Sequence, residues 1–296
     1  MRSRVAFLHI PKSAGTSIRR AMLDHVPVAD TCPWSLDPIL YGSHPLPVNA
    51  SARLIDDSVE GLDQYAYMAG HLSLPTMERG FDAADIACIL REPRSRLMSQ
   101  YTFWRTYPPD ELEYWLPYDV PYLSRLSLGD FLSQSAVMHF ADNLTTRLIV
   151  GRHDLVPLDE PIADEHVDEV AAVGCAQIDR LGFVDLLERG DIVTDRFEQW
   201  LGASVTRDTV NVTDPDAGVP VDVDDLASTP TLELLDRHNR VDLRLWLHVA
   251  TSLGMEDVDA RRLADATFAG SVAKVTRRAL DAWSRRTESS RMEKEA

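Results

Sequence analysis

Cysteine is scarce in this chain and scattered. Cys32, Cys88 and Cys175 fall far apart with no Cys-x-x-Cys spacing, which argues against a disulfide framework and a dithiol redox centre. Basic residues are in deficit too: 30 Lys and Arg stand against 47 Asp and Glu, a formal net charge of −17. A field of that sign repels nucleic acid and densely sulfated glycans unless a local basic groove overrides it. No apolar run approaches the roughly 18 residues that cross a bilayer, and the run nearest the N-terminus is broken by Pro11. Neither a transmembrane segment nor a secretory signal is therefore expected, and the expected location is cytoplasmic. A Gly/Ser-rich linker and a His/Cys cluster of metal-ligand spacing are both missing, so no metal is expected.

What the chain does contain is an alternation of short apolar runs and longer helical patterns. With 45% hydrophobic residues over 296 positions it can bury a substantial core. Strands are predicted near 5–10, 65–69, 85–90 and 181–185. Helical segments are predicted near 16–25, 93–106, 128–150, 164–178, 189–201, 229–250 and 258–286. Strands separated by helices imply an α/β architecture with a mainly parallel central sheet flanked by helices. In such sheets ligands lie outside the carboxyl ends of the strands, where Lys12 and Arg91 fall.

The first such strand end is His9-Ile10-Pro11-Lys12-Ser13-Ala14-Gly15-Thr16-Ser17. Ser13, Ala14 and Gly15 carry little bulk, so their N–H groups suit an anion cradle, and Thr16 and Ser17 suit the cap of a following helix. Lys12 adds a full positive charge on a flexible stem. The pattern is not a Walker A loop, which places its lysine after the glycines, whereas Lys12 precedes Gly15. The second strand end is Arg91-Glu92-Pro93, where Pro93 suits the first turn of a helix. Ser95 and Ser99 then share one helix face, and Arg91 offers a guanidinium fork toward the same region. Arg94 and Arg96 suit a solvated helix start or, equally, the same phosphate region.

The loop from His9 to Ser17 closely resembles the 5′-phosphosulfate loop of sulfotransferases that use 3′-phosphoadenosine 5′-phosphosulfate (PAPS). Arg91 with Ser99, eight residues later, resembles the 3′-phosphate motif of the same family. Gly70-His71 resembles the Gly-His motif of the carbohydrate, heparan 2-O-type branch, where that histidine is the proposed base. Ser13 and Ala14 stand where the branch often has Thr and Gly, and Glu92 where Asp is usual. Weaker likenesses to bacterial homologues follow in Asn143-x-x-Thr146-Arg147, Leu181-Gly182-Phe183-Val184-Asp185 and Asn239-x-x-Asp242.

This resemblance covers about residues 4–250. It implies a three-layer, P-loop-NTPase-like sulfotransferase fold, with residues 1–250 as catalytic domain and 251–296 as a helical extension packed on or flanking it. It further implies PAPS as donor, 3′-phosphoadenosine 5′-phosphate as product, and a role for each residue. Lys12 stands at the leaving group, Ser13, Ala14, Gly15, Thr16 and Ser17 cradle the 5′ side, Arg91 and Ser99 hold the 3′-phosphate, and His71 is the base. The acidic charge favours a small-molecule, saccharide or lipid acceptor over nucleic acid or a polyanionic glycan. A homodimer stays open. So do a non-catalytic nucleotide-binding protein on the same fold, an ATP-dependent small-alcohol kinase, and Glu78 as the base.

Three segments lie outside this scheme. Residues 106–122, rich in Pro and aromatics, suit an acceptor lid or a stiff surface connection. Asp214-Pro215-Asp216 and Asp222-Val223-Asp224-Asp225 read as solvated loops. In the C-terminal helical pattern, Lys274, Arg277, Arg278, Arg285 and Arg286 make one face basic. That pattern suits a packing helix with a solvated basic face, a membrane-surface or partner helix being the alternative.

Overall fold

The computed structural model describes residues 2–13, 15, 18, 22, 24–32, 61–107, 120–158, 160–205 and 221–295. Among them, β1 (Val5–Leu8), β2 (Tyr67–Gly70), β3 (Ile86–Leu90) and β4 (Phe183–Leu186) form one all-parallel sheet in the order β2-β1-β3-β4. Leu8 lies level with Gly70 on one side and Cys88 on the other, and Leu90 lies level with Leu186. The strands thus end close together along one edge. Every residue of β1, β2 and β3 is buried, which is why these segments read as unbroken apolar runs rather than alternating ones.

Alternation survives as a division between the two faces. Ala6, Leu8, Met68, Ile86, Cys88 and Leu90 enter one core, and Val5, Phe7, Tyr67, Ala69, Ala87 and Ile89 enter another. The helices are α1 (Pro93–Trp104), α2 (Leu144–Val150), α3 (Val167–Ile178), α4 (Asp191–Leu201), α5 (Thr229–His238), α6 (Arg240–Ser252) and α7 (Asp257–Glu295). Leu148 of α2, Val170 of α3 and Trp246 of α6 complete the first core. Phe197 and Leu201 of α4 complete the second with Met22. A third cluster joins Leu97, Met98, Tyr101 and Trp104 of α1 to Phe131 and Leu235, with Phe268, Val272 and Val275 of α7 packed against it.

Two expected helices are broken. The segment 128–150 divides into Leu128–Leu132, Ser135–Val137, Met138–Ala141 and α2, and 229–250 divides at Asn239. The breaks just before α2 and α6 have one cause, a reciprocal cap. Asn143, held at φ 50°, accepts the Val241 and Asp242 N–H groups on Oδ1 at 2.9 and 3.2 Å, capping α6. Asp242 in return accepts the N–H groups of Thr145 and Thr146 at 3.0 and 2.7 Å, and the Thr146 hydroxyl at 2.7 Å. Each helix start therefore satisfies the orphan donors of the other.

The motifs Asn143-x-x-Thr146 and Asn239-x-x-Asp242 thus have a structural explanation. Asp185, in the third weak motif, is buried and engages Arg189 at 3.0 Å and Arg196. The second acidic stretch is engaged as well, contrary to its reading as a solvated loop: Asp225 accepts the Gly129 N–H at 3.1 Å and the Thr231 hydroxyl at 2.9 Å.

No helix among the described residues is long and apolar enough to cross a membrane. Most of the expected helix 16–25 lies outside the described residues, although Gly15, Ile18 and Met22 are helical. Residues 108–119 of the expected lid and Asp214-Pro215-Asp216 also lie outside them.

Candidate functional site

The chain passes from β1 to β2 on one side of the sheet, whereas β3 and β4 lie on the other side of β1. The crevice between the carboxyl ends of β1 and β3 is therefore the point where strand order reverses, the favoured ligand position in open α/β sheets. Lys12 follows β1 and Arg91 follows β3, so the two cations flank that crevice. They touch directly: Arg91 Nη1 donates to the Lys12 carbonyl at 3.1 Å.

Local chemistry sets the Lys12 backbone. The Ser13 N–H donates to the Ile10 carbonyl at 3.2 Å, closing a turn whose second position is Pro11 and whose third, Lys12, has φ 69°. That is the pattern of a type II turn, which normally carries Gly or Asn at the third position. A lysine there costs about 1 kcal/mol or more of backbone strain, a cost typically tolerated where function needs the geometry. The side chain is held as firmly as the backbone, with Nζ 4.0 Å from the centre of the Phe103 ring. Burial, reinforced by the Arg91 charge, lowers the Lys12 ammonium to about 8.

His9 organises the rest of the loop. Its N–H donates to the Gly70 carbonyl at 3.0 Å, and its own carbonyl accepts a hydrogen bond from His71 Nδ1 at 2.6 Å. A carbonyl can only accept, so Nδ1 carries the hydrogen and Nε2 is the basic nitrogen of neutral His71. The two imidazoles lie 4.3 Å apart, and His71 is exposed at the sheet edge. His9 also explains Gly15, because a Cβ there would lie 2.0 Å from His9 Cδ2. Ser13 is buried, and its hydroxyl has no hydrogen-bond partner among the described residues. Ala14, Thr16 and Ser17 lie outside the described residues.

On the β3 side, burial pulls the Arg91 guanidinium down while Glu188 and Glu92 push it up. Glu92 is fully buried and caps α1, accepting the Ser95 N–H and Arg94 Nε, each at 2.7 Å. This cap occupies the start of α1, so any anion-binding capacity here comes from side chains rather than from that helix terminus. Ser99 is half-buried on α1. One turn before it Ser95 meets Ser271 of α7 at 2.9 Å, and one turn after it Phe103 meets Lys12. Ser99 therefore sits on an i, i+4 row between these two contacts.

Arg94 and Arg96 are buried, so the solvated reading of this helix start does not hold. Arg94 is buried and binds Glu92, Asp236 at 3.2 Å and Asp265 at 3.0 Å. Arg96 is fully buried, reaches the Phe140 carbonyl at 3.5 Å, and has been lowered to about 10 by burial. Neither arginine was legible as core, because Asp236, Asp265 and Phe140 come to them from distant helices.

Two neighbours of the site have no sequence motif. Glu188, just beyond β4, accepts the Glu92 N–H at 2.8 Å and Trp246 Nε1 at 3.1 Å, and burial raises its carboxyl. It braces the corner that carries Arg91, and its place after a strand was the available signal. Phe103, four residues beyond Ser99, is the other. Glu78, the alternative base, pairs with Arg180 at 2.6 Å. His238 is buried between Asp142 at 3.3 Å and the Leu132 carbonyl at 3.1 Å. A cavity of about 200 Å³ beside Val5, Met22 and Ala66 lies at the opposite, strand-start edge.

Taken together, a strained lysine, a guanidinium bound to its carbonyl, a buried hydroxyl with no partner among the described residues and an oriented imidazole meet at one strand edge. The donor set fits a ligand with two anionic groups and a hydroxyl awaiting deprotonation. No protein-family model matches this chain, and no curated protein matches it either.

Proposed function

We propose that this chain is a PAPS-dependent O-sulfotransferase on a three-layer, P-loop-NTPase-like sulfotransferase fold. The observation that carries the reading is the junction of Lys12 and Arg91 across the β1–β3 crevice, with Arg91 Nη1 on the Lys12 carbonyl. That contact couples the two sides on which the resemblance puts the 5′ and 3′ ends of the donor. The buried Ser13 hydroxyl, without a partner among the described residues, and the close approach of His9 to Gly15 also suit a cradle for an anion.

When bound, the donor supplies the sulfuryl group: the acceptor oxygen forms a bond to sulfur as sulfur parts from the 5′-phosphate oxygen. The protein contributes position and charge. Lys12, an ammonium below about pH 8, stabilises negative charge on the 5′-phosphate side. Arg91 and Ser99 hold the 3′-phosphate. His71, fixed by the His9 carbonyl, takes the acceptor hydroxyl proton on Nε2. The acceptor class is a small molecule, saccharide or lipid, in keeping with the charge of −17. A cytoplasmic location fits because the donor is made there.

Calorimetry with 3′-phosphoadenosine 5′-phosphate, and transfer of labelled sulfate from PAPS onto an extract of the host, test this together. Binding with transfer is the expected result. Binding without transfer supports a non-catalytic nucleotide-binding protein, and a preference for ATP with magnesium supports a kinase; either outcome overturns the sulfotransferase reading.

A further inference from the structure

Helix α7 lies beyond the stretch that resembles the family, yet it docks on the helix that carries Ser99. Asp265 binds Arg94 at 3.0 Å, Phe268 lies 4.6 Å beneath the same guanidinium, and Ser271 meets Ser95 at 2.9 Å. Val272 and Val275 continue the contact into the α1 cluster, and Ala279 is buried one turn further on. Helical spacing then puts Ser271, Lys274 and Arg278 on a row beside this docking face, on the side marked by Ser95. Lys274 stands about 4.5 Å along the axis from Ser271. Its ammonium is lowered by burial and then by two cations, Arg278 of its own helix and Arg91 at the end of β3.

Bringing these like charges together costs energy, and the packing of α7 does not call for it. The hydrophobic face and the Arg94–Asp265 pair already dock the helix. A chain of net charge −17 nevertheless joins Lys12 and Arg91 at one strand edge and sets Lys274 within electrostatic reach of Arg91. A multiply charged anion there would turn the repulsion into attraction.

We infer that α7 forms a wall of the phosphate site, and that Lys274 supplies a further cation to the 3′-phosphate held by Arg91 and Ser99. This rests on the sulfotransferase reading above. Lys274 is exposed, so its replacement leaves the fold intact, and an unchanged melting temperature checks this.

The test compares 3′-phosphoadenosine 5′-phosphate with adenosine 5′-monophosphate by calorimetry, in the unaltered chain and in Lys274→Ala and Lys274→Arg. Lys274→Ala should weaken the bisphosphate by about tenfold, the scale of one charge-assisted contact. It should leave the monophosphate unchanged, and Lys274→Arg should keep most of the affinity. If the unaltered chain prefers the bisphosphate and Lys274→Ala keeps that preference, or loses both ligands equally, the inference fails while the sulfotransferase reading stands. No preference for a 3′-phosphate in the unaltered chain overturns both.

Discussion

Raising the pH through about 8 should switch off the Lys12 side of the site. The ammonium is lowered to about 8 by burial and by Arg91, against about 10.4 for a free lysine. An anionic ligand binds the charged form, so its affinity is level below pH 8 and falls about tenfold per pH unit above it. Between pH 7 and 9.5 the expected loss for 3′-phosphoadenosine 5′-phosphate is about 30-fold, if a bound phosphate restores lysine to its usual range. Near pH 8 each binding event should take up about half a proton, seen as a dependence of calorimetric enthalpy on buffer. Stability runs the other way. The unfolded lysine holds its proton to higher pH than the folded one, so between about pH 8 and 10.4 this residue makes folding more favourable as pH rises. Loss of binding through this group is therefore distinct from alkaline unfolding. Lys12→Arg stays charged throughout and should flatten the profile. A level profile in the unaltered chain, or an equal slope in Lys12→Arg, refutes the reasoning.

Three further outcomes follow from particular contacts. His71→Ala should lower turnover on the order of 10²–10⁴ while leaving bisphosphate affinity alone; unchanged turnover in a steady-state assay moves the base elsewhere. Gly15→Ala forces the His9 ring aside and should weaken binding at least tenfold, whereas adding His9→Ala makes room, so the double variant should lose less than the sum of the two. Additive losses by calorimetry would remove His9 from that role. Asp242→Ala strands the Thr145 and Thr146 N–H groups and the Thr146 hydroxyl, a cost of about 3–5 kcal/mol in urea denaturation; a loss under 1 kcal/mol would mean the reciprocal cap contributes little.

The site is built by two kinds of constraint. Short-range ones act within a few residues: Pro11 sets up the turn at Lys12, and Glu92 caps the helix it begins. Long-range ones set the relation between strands: Arg91 reaches the Lys12 carbonyl, and His71 reaches the His9 carbonyl. Perturbing Glu188 should therefore disturb Arg91 first, and the Lys12 carbonyl only through it. The dense contacts on α1 from Lys12, α7 and Phe131 make that helix the common support for both sides.

Much of the architecture was written locally. Strands buried on both faces must be apolar throughout, so 5–10, 65–69, 85–90 and 181–185 were legible, as was the placing of Lys12, His71 and Arg91 just past three of them. What local pattern could not carry was anything that depends on a partner far along the chain. The breaks at Asn143 and Asn239 arise because two helix starts about a hundred residues apart cap each other, and each alone continues a helical pattern. Arg94 and Arg96 are buried because Glu92, Asp236, Asp265 and Phe140 come to them. The strand order, which puts Lys12 and Arg91 on opposite lips of one crevice, and the docking of α7 beside Ser95, were likewise decided only in three dimensions. Hydrogen-bond energies fall off within a few ångströms and screened charge interactions within about 10 Å, so which groups come that close is a property of the fold, whereas which segments can be strand or helix is a property of their own residues.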